Sequence, residues 1–193
     1  MQNLGFFFDL GWHHIMAWDA LDHLLFILVL SAVYVMADWK KVLILVTAFT
    51  LGHSLTLILS IADLVRIQDK LVEILIPGTI IVTALFNIGL KDDSTGALRR
   101  NYFLAFFFGL IHGLGFANAI RFMMSKDDSI GMDLLGFNLG LEAGQIVVVA
   151  GVLVIGFVII NKARLNRKYW VWALSVPALV LALKMIWDRI SSS

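Results

Sequence analysis

The feature that most constrains this chain is a set of ionisable residues inside apolar runs long enough to cross a bilayer. From Gly11 the sequence reads Gly-Trp-His-His-Ile-Met-Ala-Trp-Asp-Ala-Leu-Asp-His-Leu-Leu-Phe and stays apolar to Met36, so His13, His14, Asp19, Asp22 and His23 all enter one hydrophobic run. Each ionisable group held in hydrocarbon costs roughly 2.5 to 3.5 kcal/mol on insertion scales. Such a segment anchors poorly in lipid unless something compensates: a bound cation, the groups themselves, or a polar partner on another helix.

The rest of the chain leaves few places for that partner. Hydrophobic residues make up 60% and charged residues 15%, against about 45 to 50% and about 25% in soluble proteins. Six apolar runs approach the ~20 residues that a hydrocarbon core demands: 14–36, 41–62, 71–90, 101–121, 133–160 and 169–187. The predicted fold is therefore all-α, a polytopic transmembrane bundle of about six helices forming a single domain over 1–193. The amino end has neither a basic region nor a small-residue cleavage site and does not read as a cleavable signal peptide. Cysteine is absent, so any metal must be held by nitrogen and oxygen. A net charge of +1 without a basic cluster points to no nucleic-acid partner. The expected partners are the lipid bilayer and a metal ion, with homo-oligomerisation left open.

Basic residues suggest the orientation. With the amino terminus outside, Lys40, Lys41, Lys91, Arg99, Arg100, Lys162, Arg164, Arg167 and Lys168 fall inside, and Arg66, Lys70, Arg121, Lys126, Lys184 and Arg189 outside. This bias places both termini extracytoplasmic. Aromatic residues at Phe6–Phe8, Phe106–Phe108, Trp39, Trp170, Trp172 and Trp187 are expected to anchor at the interfaces or face lipid.

Polar motifs recur in the second, fourth and fifth runs, centred on His53, His112 and Glu142. Counted from the outer ends of their runs, His23, His53, His112 and Glu142 all lie about nine residues deep, or roughly 13 to 14 Å at 1.5 Å per residue. Residues at one depth can meet. Asp19 and His23 share one helical face, and His14, Trp18 and Asp22 the neighbouring one. The candidate metal ligands are thus His23, His53, His112, Glu142, Asp22 and His14. Asp19, Ser54, Asn138 and Gln145 are placed around them as orienting groups. Gly52, Gly113, Gly115, Gly140 and Gly144 suit either close backbone approach at the site or ordinary small-residue packing.

Imidazole and carboxylate ligands without sulfur suit a divalent transition metal: nickel, cobalt, zinc or iron. The leading function is a transporter that desolvates such a cation inside the membrane, rather than an enzyme. No nucleotide-binding motif supports coupling to ATP. The alternatives are an intramembrane metal-dependent hydrolase, which lacks both H-E-x-x-H and G-x-S-x-G here, and a metal-binding partner that does not transport.

Four ordered motifs resemble the HupE/UreJ family of small membrane proteins: Asp-His-Leu-Leu-Phe at 22–26, Phe-Thr-Leu-Gly-His-Ser-Leu-Thr-Leu at 49–57, Phe-Gly-Leu-Ile-His-Gly-Leu-Gly-Phe-Ala at 108–117 and Phe-Asn-Leu-Gly-Leu-Glu-Ala-Gly-Gln at 137–145. The resemblance implies a bacterial inner-membrane protein of six to seven helices, a proposed permease for nickel or another divalent metal. Asp22-His23 and Leu51-Gly52-His53-Ser54 are also similar, more loosely, to the nickel/cobalt permeases. That signature wants its upstream histidine five residues before the Asp-His pair, and His14 stands eight before Asp22.

Overall fold

The computed structural model describes residues 2–17, 20–89, 95–124 and 130–191. Seven α-helices follow one another in the described residues: α1 (Gln2–Met16), α2 (Leu21–Ser31), α3 (Trp39–Ile61), α4 (Asp69–Gly89), α5 (Thr95–Met124), α6 (Ile130–Phe157) and α7 (Arg167–Ser191). A 3-10 turn at Met36–Asp38 precedes α3, and a π-helical turn at Val158–Lys162 continues α6. The chain is an all-α, multi-pass membrane protein.

Apolar length accounts for most of the spans. Met36–Ile61, Asp69–Gly89, Ile130–Lys162 and Arg167–Ser191 are each long and apolar enough to cross a bilayer. The apolar part of α5, Asn101–Ala117, lies at the short end of the spanning range. The first run departs from the single span expected over 14–36. Its polar residues crowd the middle, the helix stops at Met16, and α2 restarts at Leu21 with a 70° bend between the two. An uninterrupted helix would point its ionisable side chains around the whole circumference. A break lets those on both sides turn toward the protein interior, where irregular backbone is tolerated in a membrane.

Glycine decides which helices lie closest. Gly136 of α6 faces Leu4 and Phe7, Gly140 faces Phe8 and Trp12, and Gly144 faces Ile15. The numbers rise together, so α1 and α6 run parallel along this seam. In α3 and α5, Gly52 faces Phe106 and Leu110, Gly109 faces Phe49, and Gly113 faces His53 and Thr56, a second parallel seam. At Gly140 a Cβ would run into the Phe8 carbonyl oxygen, and at Gly52 into that of Phe106. Both seams are therefore backbone against backbone, the small-residue packing that replaces the hydrophobic drive inside lipid. By contrast α4 and α7 are antiparallel: Arg189 bonds Glu73 at 2.8 Å near one end, and Asn87 bonds Ser175 at 3.3 Å further along.

The bundle thus has one end marked by Lys40, Tyr34, Asn101 and Arg167 and another marked by Arg66, Asp69 and Arg189. Three aromatics expected at interfaces or facing lipid lie inward instead. Trp170 is buried against Gly156, which leaves room for its indole, Phe7 packs into the core, and Phe108 is half-buried against Phe26 at 5.8 Å between ring centroids. Trp39, Trp172, Trp187 and Phe107 are exposed on the bundle surface.

Gly140→Ala should lower the thermal midpoint in detergent through an overpacking cost of about 1 to 3 kcal/mol. Gly151 has open space where a Cβ would stand, so Gly151→Ala should be neutral or stabilising by up to about 1 kcal/mol. Equal midpoints for the two variants would contradict the seam.

Candidate metal centre

The break between α1 and α2 brings its histidines together with those of α3 and α5. His14 ends α1, His23 opens α2, and His53 and His112 sit in mid-helix beside the α3–α5 seam. Ring centroids are 4.5 Å apart for His14 and His23, 4.8 Å for His23 and His112, 5.9 Å for His14 and His53, and 6.1 Å for His23 and His53. His14, His23 and His53 each offer one ligand nitrogen within 4.8 Å of the others. Three nitrogens bound to one ion at about 2.1 Å lie about 3.4 to 3.6 Å apart in tetrahedral or trigonal geometry, so closure around a cation asks for a contraction of up to about 1.3 Å.

His23, His53 and His112 are buried and His14 is half-buried, and their nitrogens are poorly served by the protein. Nε2 of His14, Nε2 of His23, both ring nitrogens of His53 and Nδ1 of His112 are buried without a hydrogen-bond partner. A buried polar atom left unpaired costs about 1 to 3 kcal/mol. Several converging at one point are a strong strain on a fold, or a site shaped for something that accepts their lone pairs.

Partner chemistry assigns two tautomers. Asp22, in the first turn of α2, accepts the backbone N–H of His23 at 2.7 Å and lies 2.9 Å from its Nδ1. An ionised carboxylate only accepts, so Nδ1 carries the proton and the unpartnered Nε2 carries the lone pair. At His112, Nε2 lies 2.9 Å from Thr79 Oγ1, which donates its single proton to the Ile76 carbonyl at 2.7 Å. The hydroxyl must accept from His112, which puts the proton on Nε2 and leaves the lone pair on Nδ1. In both rings the bare nitrogen is the one without a protein partner. The Asp22–His23 pair is the carboxylate–imidazole arrangement that orients a metal ligand.

Phenylalanines close the cluster above and below. Phe116 and Phe137 stack on each other at 5.0 Å, with His14 4.3 Å from Phe116 and His53 6.0 Å from Phe137. One turn toward the Lys40 end, Phe26 and Phe49 stack at 5.1 Å, and both lie within 5.2 Å of the His112 ring. The cluster is a polar chamber between two aromatic layers.

Other candidates lie apart from it. Glu142 is half-buried and accepts from Thr47 at 2.7 Å, and Gln145 accepts from Thr50 at 2.9 Å. Since His53 meets Phe137 while Thr47 meets Glu142, the carboxylate lies about six residues, or roughly 9 Å, along α3 from His53. Ser54 donates to its own helix at Thr50 O, and Asn138 has a buried Oδ1 without a partner. Asp19 is outside the described residues. His13 is exposed and its ring rests on the Asp9 carbonyl. Thr79 and the phenylalanine layers escaped sequence reasoning, because the third run has no histidine and phenylalanine in an apolar run carries no signal of its own. Polar residues at Thr79, Thr83 and Asn87, four apart, were the available sign.

Nitrogen-15 shifts of the metal-free protein should show His23 protonated at Nδ1 and His112 at Nε2. The opposite pattern in either ring would remove the assignment.

No curated protein and no solved structure matches the chain. A family model described as HupE / UreJ protein matches residues 1–189, nearly the whole chain including every helix that builds the chamber, and the protein belongs to the HupE/UreJ family.

Proposed function

We propose that this protein is a permease for a divalent transition-metal cation, nickel or cobalt foremost, in the bacterial cytoplasmic membrane with both termini extracytoplasmic. The observation that carries the reading is the gathering of imidazole nitrogens without a protein partner beside the bend between α1 and α2. His14, His23 and His53 hold the cation, His112 stands beside them as a fourth ligand, and Asp22 orients His23 and supplies a negative charge. Imidazoles select a transition metal over magnesium or calcium, which prefer oxygen. Glu142, with Gln145, Thr47 and Thr50, forms a separate polar layer that supplies a remote second charge. Aromatic layers on both sides suit alternating access, since neither side is then open to the chamber by default. Break-flanking residues near mid-membrane are where secondary transporters place their ions.

Metal content per mole of purified protein, with uptake into proteoliposomes, tests this. His53→Ala and His23→Ala should lose most of the bound nickel, whereas His13→Ala should keep it. Full occupancy in both of the former would end the metal-site reading. Lost occupancy with undiminished uptake would move the protein from permease to sensor or enzyme.

Asp22→Asn removes both a charge and an oriented acceptor, so affinity should fall about 10- to 100-fold. Glu142→Gln removes only a distant charge and should cost less. A larger loss in Glu142→Gln, measured by nickel titration, would make Glu142 a direct ligand. A protonated imidazole has no lone pair for metal, so occupancy should fall as the medium is acidified and return on neutralisation.

A further inference from the structure

One cluster of polar residues has no part in the chamber yet begins at its wall. Thr79, which holds His112, is followed on the same face of α4 by Thr83 and Asn87, all three buried. The stripe spans eight residue steps, or about 12 Å, running toward the Lys40 end. There Asn101 of α5 meets Tyr34. Beside the stripe is a cavity of about 20 Å³ whose lining includes Thr83, Asn87, Asn101 and Phe108. That is room for one water molecule, and three polar side chains satisfy the requirement of two to four partners.

Most hydrogens along this stripe are committed. Thr79 donates to Ile76 O and Thr83 to Thr79 O, both at 2.7 Å. Asn87 Nδ2 serves the Val29 carbonyl at 2.7 Å and Ser175 Oγ at 3.3 Å, and Asn101 Nδ2 donates to the Tyr34 hydroxyl at 3.0 Å. The Thr79 hydroxyl accepts from His112, which leaves the Thr83 hydroxyl and the amide oxygens of Asn87 and Asn101 as the acceptors that the cavity-lining residues can offer. Leu30, Val33, Phe86, Leu104 and Phe108 make up the rest of the lining, so these three acceptors are the groups that can face a cation's hydration water. Between chamber and cavity stands Phe108, one turn from His112, with Phe26 edge-on to it.

We propose that the half of the transport route toward the Lys40 end runs along this α4 stripe, with Thr83, Asn87 and Asn101 as a hydrated station for the divalent cation and Phe26 and Phe108 as the barrier between it and the histidines. The proposal rests on the permease reading and adds where the cation leaves the chamber. The barrier is closed in this conformation, and displacement of Phe108 joins the two compartments. Pairing of Thr83 with its own helix makes it the cleanest position to alter, since Val keeps the shape and removes only the hydroxyl.

The experiment pairs nickel(II) content of the purified full chain with nickel(II) uptake into proteoliposomes for Thr83→Val and Asn101→Leu. Both variants should bind nickel as the unaltered protein does, while uptake falls about tenfold for the loss of a solvating group on the path. Because the chain has no cysteine, Thr83→Cys gives a background-free second measurement. A small hydrophilic thiol reagent should modify it and block uptake, and should leave uptake by Leu85→Cys, on the exposed face of the same helix, unaffected. Unchanged uptake in both polar variants would overturn the route and leave the histidine site standing. Loss of bound nickel from folded variants would make the stripe a support of the site instead of a path. If a polar variant fails to fold, an inert Thr83→Cys with normal uptake overturns the route by itself. Absence of nickel from the unaltered protein would be the separate failure of the permease reading.

Discussion

The cost of placing ionisable groups in hydrocarbon governs this structure. Histidines and an aspartate on a membrane span cannot face lipid cheaply, and here they are gathered at one point. Breaking the first span is the local device that does this. It points His14 from the end of α1 and His23 from the start of α2 into the same chamber, and lets Asp22 hold the His23 ring from the first turn of α2. The arrangement satisfies one nitrogen of His23 and one of His112 and leaves Nε2 of His14, Nε2 of His23, both nitrogens of His53 and Nδ1 of His112 bare. A fold that merely needed to tolerate its histidines would pair them with carbonyls. The unpartnered nitrogens at the bend are where the proposed cation would bind.

Close packing makes that convergence possible. Within lipid, apolar side chains gain nothing from leaving water, so helices hold together through shape and hydrogen bonds. Two glycine seams, α1 with α6 and α3 with α5, bring backbones into contact and fix the two halves of the chamber wall. Gly113 stands directly against the His53 backbone, one residue from His112. A larger residue there would push apart the helices that carry two of the four imidazoles. Site geometry and helix packing are therefore coupled through the same short segments, and the glycines flanking the motif histidines serve both.

The aromatic layers complete the arrangement in a way that binding alone does not need. Phe116 and Phe137 lie on one side, and Phe26, Phe49 and Phe108 on the other. Rings exclude bulk water, which strengthens electrostatic interactions inside. Hydroxyl and amide groups continue beyond only one of these layers along α4, toward the end of the bundle where basic residues predominate.

Much of this was legible from the chain. Apolar length determined an all-α membrane bundle and the absence of cysteine excluded thiolate ligands, because the thickness of hydrocarbon and the chemistry of side chains leave few alternatives. Helical spacing placed His23, His53 and His112 at one depth, since rise per residue is nearly invariant. Depth is one coordinate of three, however. Glu142 matched the histidines in depth by residue count but turns toward Thr47, and His14, whose spacing departs from the permease signature, sits at the centre because the helix breaks after it. Rotation about each helix axis, the 70° bend and the parallel seams arise from contacts between segments far apart in sequence. Tertiary packing alone decided which polar side chains share a chamber, which phenylalanines close it, and that Thr79 on a histidine-free helix holds one of its rings.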